Sequence, residues 1–271
     1  MIEAGPLKQK VDLARGNPPR FSRGRSQPIR CLSFMIAVIT GASQGIGRAT
    51  ALAFAHDAAS RGTDARIALL SRTRSKLDAV AEACREAGAE ALVCPTDVTD
   101  DAAVANAAAT VHDAWGVPDV LVNNAGAFTP APLDETTATA FREQVDVNLT
   151  AAFVVTKAFL DGMRERGSGH VFYMASVAGV QAYPGSVAYC AAKHGLVGLA
   201  RVVREETKAD GVRVTTLLPG ATRTPSWEGT DLPDARFMAP DDIAQTVVDA
   251  YRLSRRTVVE EVILRPQQGD V

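Results

Sequence analysis

Several features that would otherwise direct a reading of this chain are scarce. It has four cysteines in 271 residues, Cys31, Cys84, Cys94 and Cys190, and no two of them form a CxxC pair. That excludes a zinc knuckle or a disulfide scaffold and suits a reducing, cytoplasmic setting. No apolar run reaches the roughly 18 residues of a membrane span, so no membrane partner is expected. Charge of one sign is lacking too. The 29 Lys and Arg against 31 Asp and Glu leave a net −2, which offers no global attraction to nucleic acid. His56, His112 and His170 lack metal-ligand spacing, so no metal site is expected. What remains is 46% hydrophobic and 22% charged residues, ordinary values for a globular chain that can bury a large core without staples.

The first 34 residues differ in character from the rest. They hold Lys8, Lys10, Arg15, Arg20, Arg23, Arg25 and Arg30 against only Glu3 and Asp12, punctuated by Pro6, Pro18, Pro19 and Pro28. Without an apolar period, such a segment cannot bury enough surface to offset its ordering entropy. It reads as a basic disordered tail, or as sequence upstream of a true start at Met35. A transit peptide fits the Arg-rich bias but lacks a clear amphipathic helix, and a nucleic-acid arm is the third reading. Residues 35–271 are expected to form one domain with no internal linker.

From Met35 the chain alternates between short β-branched runs and longer helical stretches. Strands are expected at 35–40, 67–70, 91–94, 120–122, 171–174, 212–218 and 258–264. Helices are expected from the glycine turn to residue 59, at 74–88, 101–115, 138–166 (one or two helices), 187–209 and 241–254, with a loop over 219–239. This rhythm predicts βαβ crossovers and a parallel sheet covered on both faces. The predicted fold class is α/β, a single doubly wound Rossmann domain with a seven-stranded parallel sheet.

Ligands of such sheets bind at the carboxyl ends of the strands. The first end reads Thr40-Gly41-Ala42-Ser43-Gln44-Gly45-Ile46-Gly47. Gly41 allows a tight turn, Gly45 lets backbone approach a pyrophosphate, and Gly47 lets the helix pack on the strand. The following helix N-terminus offers free N–H groups to phosphate. The second strand ends in Ser71-Arg72, where a carboxylate for a ribose 2′-hydroxyl would otherwise stand. A guanidinium there suits a 2′-phosphate and so points to NADP(H); the plainer reading is a solvated arginine at a helix start. After the third strand, Asp97-Val98 offers an acceptor for an adenine amino group, or else turn chemistry at a helix start. Asn123-Asn124-Ala125-Gly126 ends the fourth strand with small residues over which a cofactor can lie, or forms an ordinary Asn-Gly-type turn.

The pattern that points to catalysis is more specific. Ser176 follows the fifth strand, Tyr189 comes 13 residues later and Lys193 four after that. On a helix, i and i+4 share a face, so Lys193 sits beside the Tyr189 hydroxyl. A neighbouring ammonium is expected to lower a phenol pKa from its usual value of about 10. Tyr189 can then exchange a proton with a carbonyl or alcohol oxygen, and Ser176 can hydrogen-bond the same oxygen. Taken alone, Tyr-x-x-x-Lys is also a common helix-surface pair. Cys190 reads as packing, since no histidine partners it in sequence, and the role of the adjacent His194 is left open.

Together, TGASQGIG, NNAG, Asn148, Ser176, Tyr189-Cys190-Ala191-Ala192-Lys193 and Pro219-Gly220-Ala221-Thr222-Arg223-Thr224 resemble the short-chain dehydrogenase/reductases. The resemblance covers residues 35–271. It implies that Asn148 holds a water linking Lys193 to solvent, and that Lys193 also binds the nicotinamide ribose. It further implies that backbone near Thr222 holds the carboxamide, that Thr224 serves the phosphate side, and that the protein is a homodimer or homotetramer. Thr222 stands where valine is usual, which leaves a backbone role intact. A long turn at 56–66, Ser71-Arg72-Thr73, Tyr189-Cys190 and the tail from Val258 resemble bacterial sepiapterin reductase-like members more closely.

The substrate wall is expected from residues 127–133, 181–185 and the loop 223–239. That loop carries Trp227, Phe237 and Met238 with Glu228, Asp231 and Asp234. Apolar side chains suit a flat or compact carbonyl compound, and the acids suit a basic heterocycle unless they form a solvated lid. The expected activity is NADPH-dependent reduction of a small ketone or pterin-like carbonyl. A 3-oxoacyl thioester reductase or 3-hydroxy acid dehydrogenase is the enzyme alternative, and a cofactor-binding scaffold the non-enzyme one.

Overall fold

Alternation at two-residue period decides which side of the sheet each strand residue covers. In the first strand, β1 (Phe34–Thr40), Val38 joins one core while its neighbour Ile39 joins the other. The same split separates Leu70 from Leu69, Leu121 from Val122 and Val171 from Phe172. The strands are therefore apolar on both faces, as a parallel sheet covered by helices requires. The computed structural model describes residues 34–270. The basic segment lies outside the described residues except for Phe34, which belongs to β1 and carries the Arg66 guanidinium 4.0 Å above its ring.

The other strands are β2 (Asp64–Ser71), β3 (Glu90–Pro95), β4 (Val120–Asn123), β5 (Gly169–Met174), β6 (Val212–Pro219) and β7 (Glu261–Leu264). They form one sheet in the order β3-β2-β1-β4-β5-β6-β7, with every pairing parallel. The helices are α1 (Gly45–Arg61), α2 (Arg74–Glu86), α3 (Asp101–Trp115), α4 (Ala138–Val145), α5 (Ala151–Arg166), α6 (Val187–Thr207) and α7 (Pro240–Arg252). Val104, Val111, Phe159 and Leu196 of α3, α5 and α6 close one core; Phe54, Leu77 and Val247 of α1, α2 and α7 close the other. The strand order reverses between β1 and β4. At that switch point the loops diverge and leave a crevice above the sheet.

The region 138–166 is helical throughout, as expected, with a π-helical turn, Asp146–Thr150, that joins α4 to α5 and carries Asn148. Two local expectations need correction. The proposed long turn at 56–66 is two residues long. The helix runs on to Arg61, Gly62 caps it with a left-handed φ of 64°, and β2 starts at Asp64. The last strand starts at Glu261 rather than Val258, yet Val259 and Glu260 are already tied to β6. Their carbonyls accept from the Thr215 hydroxyl and the Thr216 N–H.

Candidate active site

Every residue singled out above as catalytic or cofactor-binding lines one cleft of about 1120 Å³ at the carboxyl ends of the strands, with the exception of Gly47. Gly41 has φ +63°, and a Cβ there would meet Ala125 Cα at 2.9 Å. Gly47 is buried in the turn instead of lining it. A Cβ at Gly47 would lie 2.4 Å from the Gly41 carbonyl oxygen and 2.5 Å from Asn124 Nδ2, so its tight contact is with the turn and not with the strand. The Asn124 side chain staples that turn, donating to the Thr40 carbonyl at 2.9 Å and the Gly41 carbonyl at 3.3 Å. The Thr40 hydroxyl accepts in return from the N–H groups of Asn124 and Ala125, each at 2.9 Å. The NNAG segment is thus a cross-strand brace for the glycine turn. Thr224 stands over the same turn, its methyl 3.2 Å from where a Gly45 Cβ would be.

At the far end of the cleft, Arg72 is exposed and makes no hydrogen bond or ion pair among the described residues. Asp97 shows the turn chemistry: its Oδ1 accepts from Thr99 N–H at 3.0 Å and from the Thr99 hydroxyl at 2.8 Å. Those two bonds hold its carboxyl below the usual range against a smaller opposing effect of burial, and the Arg72 charge adds to the lowering. Lys76, which sequence reasoning did not single out, reaches Gln44 Oε1 at 3.0 Å and brings a second cation to this side.

Ser176, Tyr189 and Lys193 come together where β5 gives way to α6. Ser176 opens a 3₁₀ turn, Val177–Gly179, and its Oγ accepts from Ala178 N–H at 3.1 Å. Lys193 is only 4% exposed, and its ammonium donates to the Met174 carbonyl at 2.9 Å and sits 5.6 Å from the Tyr189 ring centre. Burial pulls the Lys193 pKa down to about 8. The expected depression of Tyr189 is not found. Burial pushes its phenol up to about 12, opposed by a hydrogen bond with Ser176, because desolvation of the phenolate outweighs nearby favourable interactions. At neutral pH Tyr189 therefore keeps its proton, and it holds that proton beside a hydroxyl and a buried cation.

The π-helical turn aims Asn148 inward, a common use of such insertions. Its Nδ2 donates to the carbonyls of Ala127 at 2.8 Å and Gln144 at 3.0 Å, and its Oδ1 accepts from Ala127 N–H at 3.3 Å. A Cβ on Gly126 would strike Asn148 Oδ1 at 2.7 Å, with Lys193 Nζ 3.6 Å away, so this glycine makes room between the two. No direct hydrogen bond joins Asn148 to Lys193 among the described residues.

The substrate side contains Phe128, Tyr183 and Trp227, all lining the cleft. Phe128 meets Tyr189 edge-on with ring centres 4.9 Å apart. Of the acids in the 223–239 loop, exposed Asp234 pairs with Arg223 at 2.9 Å and Glu228 borders a separate small groove, which fits the solvated-lid alternative. Phe237 packs under Trp227 at 5.0 Å and is buried. Met238, expected in the wall, lies outside the cleft lining, packed against the core and joined to Thr222 by a β-bridge. Asp270 and Gln144, both missed from the sequence, line the cleft. Gln144 sits one turn before Asn148 on α4, a helical-spacing signal that was available; Asp270 had none. His194 Nδ1 bonds the Cys190 carbonyl at 2.9 Å and not its thiol, so it gives the cysteine no activating base. Among the described residues there is no cluster able to hold a metal, and no helix is long and apolar enough to cross a membrane.

A seven-stranded parallel sheet with this cleft at its switch point defines a doubly wound, Rossmann-type architecture. Residues 35–233 match the short chain dehydrogenase family, and the chain belongs to that family of oxidoreductases. It is similar to a sepiapterin reductase of Chlorobaculum tepidum, 40% identical over 87% of this chain and 98% of that protein. It is also similar to a 3-oxoacyl-[acyl-carrier-protein] reductase of Synechocystis, 33% identical over 80% of this chain and 88% of the other. Among solved structures it resembles an alcohol dehydrogenase from Thermococcus sibiricus complexed with 5-hydroxy-NADP. That match has 32% identity and a TM-score of 0.79, covering 86% of this chain and 97% of that one.

Proposed function

We propose that this chain is an NADPH-dependent carbonyl reductase acting on a small, flat ketone such as a pterin-like side-chain carbonyl. The observation that carries the reading is Tyr189, a half-buried phenol that lines the cleft together with Ser176 and the buried Lys193 and keeps its proton at neutral pH. The residues fit the cofactor. The Gly41 and Gly45 turn leaves space that a Cβ would fill, Arg72 is unpaired at the end where a 2′-phosphate would lie, and one cleft joins them to Tyr189. The turn would hold the pyrophosphate, Arg72 the 2′-phosphate, and Lys193 the ribose nearest the reacting carbon. NADPH, when bound, supplies the hydride that reduces the carbonyl carbon to an alcohol. Tyr189 O–H donates the proton that the carbonyl oxygen requires, and Ser176 Oγ–H holds that oxygen in line. The Lys193 ammonium favours the phenolate left behind, and Asn148 keeps the 127 backbone in place around it.

The aromatic walls of Phe128 and Trp227 favour a planar substrate, and the similarity to a sepiapterin reductase supports the pterin-like class. The second reading, a 3-oxoacyl thioester reductase, draws on the similarity to the Synechocystis enzyme. A homodimer or homotetramer is part of the proposal, with Phe153 and Val202 exposed on α5 and α6; light scattering checks it. NADPH consumption against a panel of diketones, pterins and 3-oxoacyl esters tests the substrate class. Turnover confined to the thioesters overturns the carbonyl-reductase reading, and no turnover on any of them overturns both.

A further inference from the structure

The end of the chain folds back across the substrate wall. Asp270 uses its carboxylate and its carbonyl on different loops. Its Oδ2 accepts from the Tyr183 hydroxyl at 2.7 Å and pairs with the Arg265 guanidinium. Its backbone oxygen accepts from Arg236 Nη2 at 3.0 Å. Arg265 in turn donates to Gln181 Oε1 at 3.0 Å. Gln181 and Tyr183 belong to the connection from β5 to α6, and Arg236 to the connection from β6 to α7. The tail therefore spans the two loops that carry Tyr183 and Trp227, both of which line the cleft. Asp270 Oδ1 is buried beside Gly220 and has no hydrogen-bond partner.

We propose that Asp270 is a specificity-determining positioning residue, and that its bond to Tyr183 straps the two substrate loops together and so sets the width of the substrate end of the cleft. The strap touches neither the glycine turn nor Ser176, Tyr189 or Lys193. Oδ2 is committed to Tyr183 and Arg265, while Oδ1 is buried without a hydrogen-bond partner, so the strap is carried by one oxygen of the carboxylate. An isolated exposed ion pair would do little. Here one side chain satisfies a phenol and a guanidinium from separate segments, and its main chain satisfies a third, which makes the set cooperative. The effect on substrate binding rests on the reductase reading; the effect on loop order does not.

The test compares wild type with Asp270→Ala, Tyr183→Phe and the double variant, using the full chain. Three quantities are read: KM and kcat for a neutral ketone, NADPH affinity by fluorescence, and hydrogen exchange of residues 181–185 and 223–239. Losing a charge-assisted bond is expected to raise KM by roughly tenfold, with kcat changed less than about twofold and NADPH affinity unmoved. Exchange in both loops should quicken in each single variant. The double variant should be no worse than the stronger single, because one bond is shared. Unchanged exchange in both single variants overturns the strap, as does a double variant whose effects simply add. If wild type reduces no carbonyl compound, the reductase reading fails, and hydrogen exchange still decides the strap.

Discussion

The two ends of the cleft are built by different means. The cofactor side is made of backbone: glycines at turns, a carbonyl at Gly41, and Asn124 fastening one strand end to its neighbour over 2.9 Å. The substrate side is made of side chains reaching across long stretches of chain, Tyr183 to Asp270 and Arg265 to Gln181. Backbone turns tolerate little variation, because a single added carbon collides with main chain. Side-chain clasps can be exchanged for others of the same reach. A fold arranged this way can keep one cofactor geometry while its substrate end changes.

The sharpest way to break the comparison is at the boundary between the two ends. Tyr189→Phe removes the phenolic proton while leaving a ring that still packs against Phe128. Losing general acid catalysis is expected to lower kcat by about 10²–10⁴-fold. NADPH affinity and melting temperature should barely change. Steady-state kinetics with titration of NADPH fluorescence reads both, and a near-normal kcat would remove Tyr189 from the acid's role.

Next in size is a change confined to the cofactor side. Gly47→Ala places a methyl 2.4 Å from the Gly41 oxygen and 2.5 Å from Asn124 Nδ2. Neither neighbour can retreat cheaply, since Asn124 is held by the Thr40 and Gly41 carbonyls. Overpacking of this kind costs about 1–3 kcal/mol, and the distortion falls on the turn that would hold the pyrophosphate. NADPH binding should weaken by about 5- to 150-fold on that scale, with the 223–239 loop exchanging hydrogen as in wild type. Unchanged affinity would show that the turn can relax and that the cofactor side is less rigid than its contacts imply.

The same contrast explains what could be read from the chain before its structure. The glycine turn, Ser176, Tyr189 and Lys193 were legible because each depends on spacing within one strand-turn-helix unit. The seven-stranded parallel sheet was legible in the alternation of short apolar runs with helices, whereas the order of its strands comes from the structure. Asp270 was not legible, because its partners lie 87 residues back at Tyr183 and 34 back at Arg236. The charge state of Tyr189 was misread for a related reason. Its four-residue spacing from Lys193 is local, while the burial that raises its pKa to about 12 is a property of the assembled cleft. Composition left the acids of the 223–239 loop between a substrate contact and a solvated lid, and only the fold turns Asp234 toward Arg223.

A finer probe of the cofactor side is Arg72→Ala. Arg72 lines the cleft and binds no other described residue, so its removal leaves no partner stranded. Hydrogen bonds to charged groups contribute about 1.5–3 kcal/mol. Lys76 stands close enough to Gln44 to share the load, so the loss in NADPH affinity should fall near tenfold. NADH affinity should stay as it was, having no 2′-phosphate to lose. Parallel titrations give the ratio, and equal losses for both cofactors would move Arg72 from recognition to general electrostatics.

The smallest expected effect lies away from both ends of the cleft and serves as their control. His170 is 0% exposed at the start of β5, stacked on Phe172 at 3.9 Å, with Tyr251 at 6.4 Å. The Thr215 hydroxyl donates to the Val259 carbonyl at 2.6 Å, so at its own oxygen it accepts from His170 Nε2–H at 2.8 Å. That fixes the tautomer and leaves Nδ1 buried without a partner. Burial, helped by the nearby Arg213 charge, holds the His170 pKa well below its usual value of 6.5. The unfolded chain therefore takes up a proton near pH 6.5 that the folded chain refuses. Stability from this group is complete above that pH and declines as the pH falls below it, by at most about 1.4 kcal/mol per pH unit. The decline stops once the folded histidine itself titrates. His170→Gln keeps a donor for Thr215 and removes the titration, so its melting temperature should fall less steeply than that of wild type between pH 6.5 and 5. NADPH affinity and KM at neutral pH should be the same in both proteins. Parallel melting curves would show instead that His170 is protonated in the fold or that carboxylates alone set the acid limb.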